Sequence, residues 1–437
     1  MSRQMKDSGV EWIGEVPEGW EILPIKYQYK IVSGATPKSE NPNFWDGDIQ
    51  WVTPSDFKTE DKFVSHGAKS ITIDGYHSCS TTLVPEGSLV FSKRAPVGTV
   101  AIAINELCTN QGCLSCIPKA GTNPTFGYYE MYIAKQAFEQ AAQGTTFMEI
   151  SADKFANFKL PYCSPSEQSQ IVHFLDRKCS AIDAAIEKTK ESIEKLEEYK
   201  KAVITKAVTK GLDPDAKMKD SGMEWIGEVP EGWEIRPLKF TSDSISKGNG
   251  ITKDDVVEDG DMQCVRYGEI YFQYDLSFSQ CKSKTRLNKV SSPQFFSYGD
   301  ILCAGTGELI DEIGKPIVYL GDQNCLAGGD IVIVKHKQNP RFLEYALSSS
   351  YAQAQRSLGK YKLKVVHISA GEIGSIKIAL PNITEQNRIA DYLDNKIADI
   401  TKVIDNKLAV ISKWEEYKKS LIYYAVTGKI DCRNEVL

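Results

Sequence analysis

A 23-residue segment occurs twice in this chain, and that duplication restricts the folds open to it. Met5 to Tyr27 reads MKDSGVEWIGEVPEGWEILPIKY and Met218 to Phe240 reads MKDSGMEWIGEVPEGWEIRPLKF, with 19 of 23 positions identical at an offset of 213. A second shared block lies further on. EQSQIVHFLDRKCSAIDAAIEKTKESIEKLEEYKKAVITKAVTKGLD starts at Glu167, and EQNRIADYLDNKIADITKVIDNKLAVISKWEEYKKSLIYYAVTGKID starts at Glu385, an offset of 218. Between the shared blocks lie two inserts, Gln28 to Lys159 and Thr241 to Ala379, with no visible likeness in sequence. The repeating unit is an opening motif, a diverged domain and a shared helix, used twice. Such a frame predicts one geometry employed to read two different things.

The second block has a heptad seam. Val172, Leu175, Cys179, Ile182, Ile186, Thr189, Ile193, Leu196, Lys200, Val203 and Ala207 are spaced 3-4-3-4, and nine of these 11 are small or apolar. Adding 218 gives Ala390, Leu393, Ile397, Ile400, Ile404, Lys407, Ile411, Trp414, Lys418, Leu421 and Ala425, so the face survives in the second copy. No proline or glycine interrupts either run, and Lys210-Gly211 and Gly428 are helix stops. A run of some 44 residues makes a rod roughly 65 Å long. The simplest expectation is that the two rods pair as an antiparallel coiled coil, with a globular domain at each end of the stalk. A core helix pair with no spacer role uses the same residues.

The inserts read as mixed α+β domains with curved or barrel-like sheets. In the first, Ile49–Val52, Ser88–Ser92 and Thr99–Ile104 are strands, Val84-Pro85-Glu86-Gly87 is a turn, and Tyr128–Gln143 is helical. In the second, Ser297–Cys303, Pro316–Leu320 and Asp330–Val334 are strands, with a helix around Arg341–Leu358. Val84–Val90 parallels Phe296–Leu302, and a polar glycine-bearing loop follows each: Ser92–Gly98 and Ala304–Leu309. Leu160-Pro161 and Leu380-Pro381 close the inserts where the long helices begin. The predicted domains are 1–160, a spacer helix over 161–213, 214–380, and a second spacer helix over 381–437.

Composition excludes several classes. No apolar run approaches the ~18 residues of a membrane span, and the polar, acidic Met1–Gly19 is no signal peptide; a cytoplasmic location is expected. The 11 cysteines are scattered, an odd number, which fits reduced thiols better than a disulfide framework. Cys108, Cys113 and Cys116 cluster without the second pair that a zinc site wants, so buried thiols are expected. Net charge is −6, which does not advertise a nucleic-acid partner, although a local surface or partner subunits can supply the phosphate neutralisation. Catalytic motifs are wanting. Asn41-Pro42-Asn43-Phe44 lacks the second proline of the NPPY type of adenine methyltransferase turn. Gly305-Thr306-Gly307-Glu308 lacks the Lys-Ser/Thr of a phosphate loop. Glu198-Tyr199-Lys200 and Glu416-Tyr417-Lys418 lie on the rods, where a nuclease metal site would be out of place.

The DSGxEWIGxxPxxW motif, present twice, and the proline then Glu-Gln before each long helix resemble the specificity subunit of type I restriction-modification systems, over essentially the whole chain. The resemblance implies two target recognition domains, each reading one half of a split double-stranded DNA sequence. It implies a coiled coil that spaces them in a pseudo-twofold frame and docks two methyltransferase subunits for adenine methylation. Restriction motor-nuclease subunits, when added, cleave unmodified DNA. It implies no catalysis and no cofactor on this chain, S-adenosylmethionine and ATP/Mg belonging to the partners. The rival expectation is an assembly scaffold with protein-binding inserts.

Side chains that read base edges or hold phosphates come from loops. The candidates in the first domain are Lys93 and Arg94, then Thr109, Asn110 and Gln111, then Thr145 and Thr146. In the second domain they are Lys247 and Asn249, Arg266 and Tyr267, and the run Lys360, Lys362 and Lys364, which alternates like a strand with its lysines on one face. For each, the bland alternative is a solvated surface side chain or a turn former. Gln28–Phe158 has 10 basic and 13 acidic residues and Thr241–Ile378 has 16 of each. Weak DNA affinity is therefore expected of the isolated chain.

Overall fold

The computed structural model describes residues 3–142, 148–360 and 365–433. The chain divides into two compact units, Met1–Thr189 with Ala409–Leu437, and Lys190–Leu408. The division runs through both long helices, Pro165–Lys210 and Ile383–Val426, rather than between domain and helix.

Within the first unit, Lys418 Nζ donates to both carboxylate oxygens of Asp183 at 2.7 Å, and Gln170 donates to the Arg433 carbonyl. Within the second, Lys396 lies over the Tyr199 ring, and Gly211 abuts Glu385. Numbers rise on one helix as they fall on the other, so the helices run antiparallel inside each unit. The seam is buried as its spacing predicts: Leu175, Cys179, Ile182 and Ile186 in the first unit, and Leu393, Ile397, Ile400 and Ile404 in the second. Both helices end at their glycine stops, with Gly211 at φ +73° and Gly428 at φ +71°.

The opening motif docks on a helix end. In the second unit, Lys210 reaches the Glu228 carbonyl, and Val208 shares a core with Val229 and Trp233. In the first unit the motif meets the end of the other helix: Lys429 Nζ donates to the Ile13 carbonyl at 3.0 Å, and the Tyr423 hydroxyl donates to it at 2.9 Å. The C-terminal AVTGKID thus takes, against the first motif, the place that AVTKGLD takes against the second. Each motif also holds the start of a long helix. Trp20 Nε1 donates to Glu167 and Trp233 Nε1 to Glu385, both at 3.0 Å. Gln168 and Gln386 accept the backbone N–H of Asn123 and Asn339, the residues that cap the first helix after the sheet in each insert.

The inserts share one topology despite their sequences. The five-stranded sheet of the first runs Tyr29–Ser33, Cys113–Pro118, Leu89–Ser92, Val100–Ala103, Phe63–Val64. That of the second runs Ser242–Lys247, Ile331–His336, Ile301–Ala304, Pro316–Tyr319, Ser277–Phe278. In both, the first three pairings are antiparallel and the last is parallel. A smaller sheet accompanies each, built on Trp45–Val52 or Met262–Val265, with a parallel neighbour at Cys108–Thr109 or Cys325–Ala327. The turn glycines Gly87 and Gly299 match, at φ +81° and +90°.

Several expected bounds shift. The helix expected at Tyr128–Gln143 is two, Pro124–Ile133 and Lys135–Ala141, the first started by the Asn123 cap and Pro124. That expected at Arg341–Leu358 is Pro340–Ser348 and Ser350–Ser357, parted by an extended Ser349. Leu160-Pro161 lies in the strand Lys159–Tyr162, paired with Glu21–Pro24, and Leu380 ends the strand Lys377–Leu380, so both precede their helices. Cys108, Cys113 and Cys116 are buried. Cys113 and Cys116 stand three apart on one strand and so face opposite sides. Among the described residues, no helix is long and apolar enough to cross a membrane.

Candidate nucleic-acid interface

Main-chain hydrogen bonds gather the same set of loops at one end of each sheet. In the first insert, the Ala35 N–H donates to the Thr109 carbonyl at 3.0 Å, Asn110 N–H to Val52 at 3.0 Å, and Lys93 N–H to Gly112 at 2.9 Å. The second repeats this: Asn249 N–H to Ala327 at 3.1 Å, Gly328 N–H to Val265 at 2.9 Å, Gly305 N–H to Asp330 at 2.7 Å. A further segment closes each cluster, since Ile150 N–H meets the Lys93 carbonyl and Ile368 N–H meets Gly305. The approach requires a glycine. A Cβ on Gly34 would stand 2.2 Å from the Asn110 carbonyl oxygen, and one on Gly248 would stand 2.2 Å from that of Gly328.

These bonds bring together candidates that lie far apart in sequence. Lys93, Arg94, Asn110 and Gln111 meet in the first cluster; Lys247, Asn249 and Arg266 surround Gly328–Asp330 in the second. Tyr267 stands beside Arg266 and is exposed. Lys360 joins through His367: its Nζ donates to the His367 carbonyl, and His367 Nδ1 lies 3.0 Å from Thr306 Oγ1. Thr109 is different. It is 2 % exposed, its side chain faces Ser115, and it contributes its carbonyl rather than a free hydroxyl. Lys360 is not in a strand, being paired with Glu372. Thr145, Thr146, Lys362 and Lys364 lie outside the described residues.

Each described candidate cation already has an acid. Lys93 and Arg94 share Glu149, at 3.0 and 2.9 Å. Burial works against the Glu149 carboxylate, but the bonds from Lys93 and Arg94 outweigh it and hold it below its ordinary range. Lys247 pairs with Asp330 at 3.5 Å and Arg266 with the buried Glu269 at 3.0 Å. Glu372 is held at about 2, its burial outweighed by bonds from Lys360 and Ser369. Among the described candidates, the Gln111 amide accepts from Thr36 and the Asn249 amide donates to the Ser291 carbonyl at 2.7 Å, so these two amides have neutral partners.

Thr36, Thr53 and Thr306 escaped the sequence reading. Thr36 meets Gln111, and Thr306 meets His367. The Asp56 carboxylate accepts the Thr53 N–H at 2.7 Å, three residues back, just as Glu269 accepts the Arg266 N–H at 3.1 Å in the second insert. The paired strings Val52-Thr53-Pro54-Ser55-Asp56 and Val265-Arg266-Tyr267-Gly268-Glu269 carry that signal. So do Ser33-Gly34 and Lys247-Gly248 at the strand ends.

Residues 17–198 and 230–410 match the type I restriction modification DNA specificity domain. The chain belongs to that family. Its relatives include the type I restriction enzyme MjaIX specificity subunit of Methanocaldococcus jannaschii, 32% identical over 232 residues, 52% of either chain. The chain thus spans about half the length of that relative. The MjaVIII specificity subunit of the same organism is 25% identical over 96% of this chain and 95% of its own. Among solved structures, a chain from a type I R-M system described for its complex assembly and conformational transition aligns over 95% of this chain and 99% of its own, with a TM-score of 0.70 at 16% identity. The HsdS subunit from Thermoanaerobacter tengcongensis aligns over 95% and 98%, with a TM-score of 0.50 at 16% identity. At that identity the likeness concerns the fold.

Proposed function

We propose that this chain is the DNA-recognition subunit of a type I restriction-modification complex, each insert reading one half of a bipartite double-stranded target. The observation that carries this reading is the pair of loop clusters: one set of main-chain bonds presents Thr36, Thr53, Arg94 and Gln111 in one insert, and Asn249, Arg266 and Thr306 in the other. One scaffold with different polar side chains is what two half-sites require. The paired helices set the gap between half-sites, and the twice-kept frame offers equivalent docking surfaces to two methyltransferase subunits. Those partners, and restriction motor-nuclease subunits where they join, bring S-adenosylmethionine and ATP/Mg and perform the chemistry; this chain supplies no catalytic group. The ion-paired cations fit a chain that binds DNA weakly without its partners.

The test replaces Gln28–Lys159 with the insert of another specificity subunit and maps methylated adenines with the methyltransferase partner co-expressed. One half-site should change and the other stay. If methylation persists with both half-sites unchanged, the inserts do not read DNA and a protein-binding scaffold is the better account.

A further inference from the structure

Each insert is fastened to its long helix at a second point, beyond the joints made by Gln168 and Gln386. Six residues after the capping Asn123 stands Tyr129, and six after Asn339 stands Tyr345. Both phenol rings are buried, and both hydroxyls donate to an acid on the long helix, Tyr129 to Asp176 at 2.5 Å and Tyr345 to Asp394 at 2.8 Å. The two acids are 218 residues apart, so they occupy one position of the repeat. A cation completes each joint. Lys62 Nζ lies 4.8 Å from the Tyr129 ring centroid, donates to the hydroxyl oxygen at 3.3 Å and pairs with Asp176. The Arg341 guanidinium lies 4.7 Å from the Tyr345 ring centroid, donates to the hydroxyl oxygen at 2.7 Å and pairs with Asp394 at 2.8 Å. The cations come from different places. Lys62 precedes the parallel edge strand Phe63–Val64, whereas Arg341 is on the helix that carries Tyr345. Two inserts without visible likeness in sequence build the same three-way contact from different parts.

We propose that Lys62–Tyr129–Asp176 and Arg341–Tyr345–Asp394 are positioning contacts that fix the tilt of each insert on its helix and so hold the gap between half-sites to one length. This rests on the reading of the inserts as half-site readers. One fastening alone is a pivot. Gln168 and Asp176, like Gln386 and Asp394, are eight residues apart, about 12 Å along a helix. A slip of ~2 Å at the far end of that ~12 Å base tilts the insert by roughly 10°. A domain of this size has a radius of gyration of about 14 Å, so a loop at its edge stands roughly 20 Å from the pivot. The tilt carries that loop through roughly 3.4 Å, one base-pair step.

The exposure of the acids separates this role from plain fastening. The Asp176 and Asp394 side chains are 45% and 43% exposed, and an ion pair so open to water adds little stability. What the contact supplies is direction. The phenol is a rigid ring on a short helix, the acid is on the long one, and the cation bridges them, so the hydroxyl has one place to donate.

The test co-expresses the full chain with the methyltransferase partner and sorts methylated sites by gap length. The wild type should give one gap. Tyr345→Phe, which keeps the ring and removes only the hydroxyl, and Asp394→Ala should raise methylation at gaps one base pair longer or shorter by roughly tenfold, with both half-sites unchanged. Tyr129→Phe and Asp176→Ala should do the same from the other insert. Asp394→Asn, which still accepts from the phenol, should leak less than Asp394→Ala. Gly9→Ala, at φ +65° and away from both joints, is the control for lost stability: it should lower methylation at most and keep one gap. A single unchanged gap in the phenylalanine and alanine variants, or equal leakage in Gly9→Ala, would overturn the proposal. If an alanine variant folds poorly, the phenylalanine variants decide, since each removes one oxygen. A wild-type complex that methylated no two-part site would instead take down the recognition reading, and this inference with it.

Discussion

Gly211 and Gly428 end the long helices of the two repeats, one position apart in register, yet alanine should cost more at one than at the other. Both sit in the left-handed region, at φ +73° and +71°. An L side chain there costs roughly 1–2 kcal/mol. A Cβ on Gly428 would stand 2.5 Å from Pro17 Cγ, 2.6 Å from Pro17 Cδ and 3.0 Å from Trp20 Cζ2. A pyrrolidine ring and a buried indole cannot swing aside, so an overpacking cost of about 1–3 kcal/mol is added. At Gly211 the nearest atoms are Glu385 Oε1 at 3.2 Å and Trp233 Cζ2 at 3.4 Å, close to ordinary contact. Gly9 supplies the baseline, with φ +65° and nothing within 4 Å. Gly9→Ala and Gly211→Ala should each destabilise by about 1–2 kcal/mol, and Gly428→Ala by about 2–5 kcal/mol. Urea unfolding followed by tryptophan fluorescence measures all three. A cost at Gly211 equal to or above that at Gly428 would refute the claim that the first motif is clamped more tightly on its helix end.

Three further outcomes are expected. Burial lifts the Glu344 carboxyl to about 8, so the folded state keeps a proton that the unfolded state has released. Stability should therefore fall as pH rises between about 4.5 and 8, by about 2 kcal/mol from pH 6 to pH 8, and Glu344→Gln should flatten that dependence in urea titrations; an unchanged slope would assign it to other groups. Lys93→Ala with Arg94→Ala should weaken DNA binding by the partner-loaded complex and reduce the slope of log affinity against log salt by about 1–2, whereas an unaltered slope would mean that Glu149 keeps both cations from phosphate. One heptad added to both long helices should lengthen the gap between half-sites in the methylation pattern while leaving the half-sites themselves alone, and an unmoved gap would remove the spacer role.

The sequence disclosed the frame far better than the inserts, and the hydrogen bonds explain why. The joints of the frame are made by side chains. Trp20 needs Glu167 and Trp233 needs Glu385; Gln168 and Gln386 hold the caps of Asn123 and Asn339. Replacing any of them strands a buried donor or acceptor, at about 1–3 kcal/mol, so these residues recur and the repeat is visible by eye. The inserts are joined differently. Ala35 to Thr109, Lys93 to Gly112, and their counterparts Asn249 to Ala327 and Gly305 to Asp330 are bonds between backbones. A backbone bond is indifferent to the side chain beside it. Strand order and loop gathering therefore persist while the residues drift, and only Gly34 and Gly248 mark the close approach. For the same reason Lys93, Asn110 and Gln111 could be picked from composition, but the meeting of Gln111 with Thr36 could not. The burial of Thr109 is not legible in the sequence because its place in a parallel strand depends on a partner far back in the chain, at Val52. The same indifference lets one scaffold serve two targets: a side chain at a loop tip can change what is read without disturbing the bonds that hold the loop.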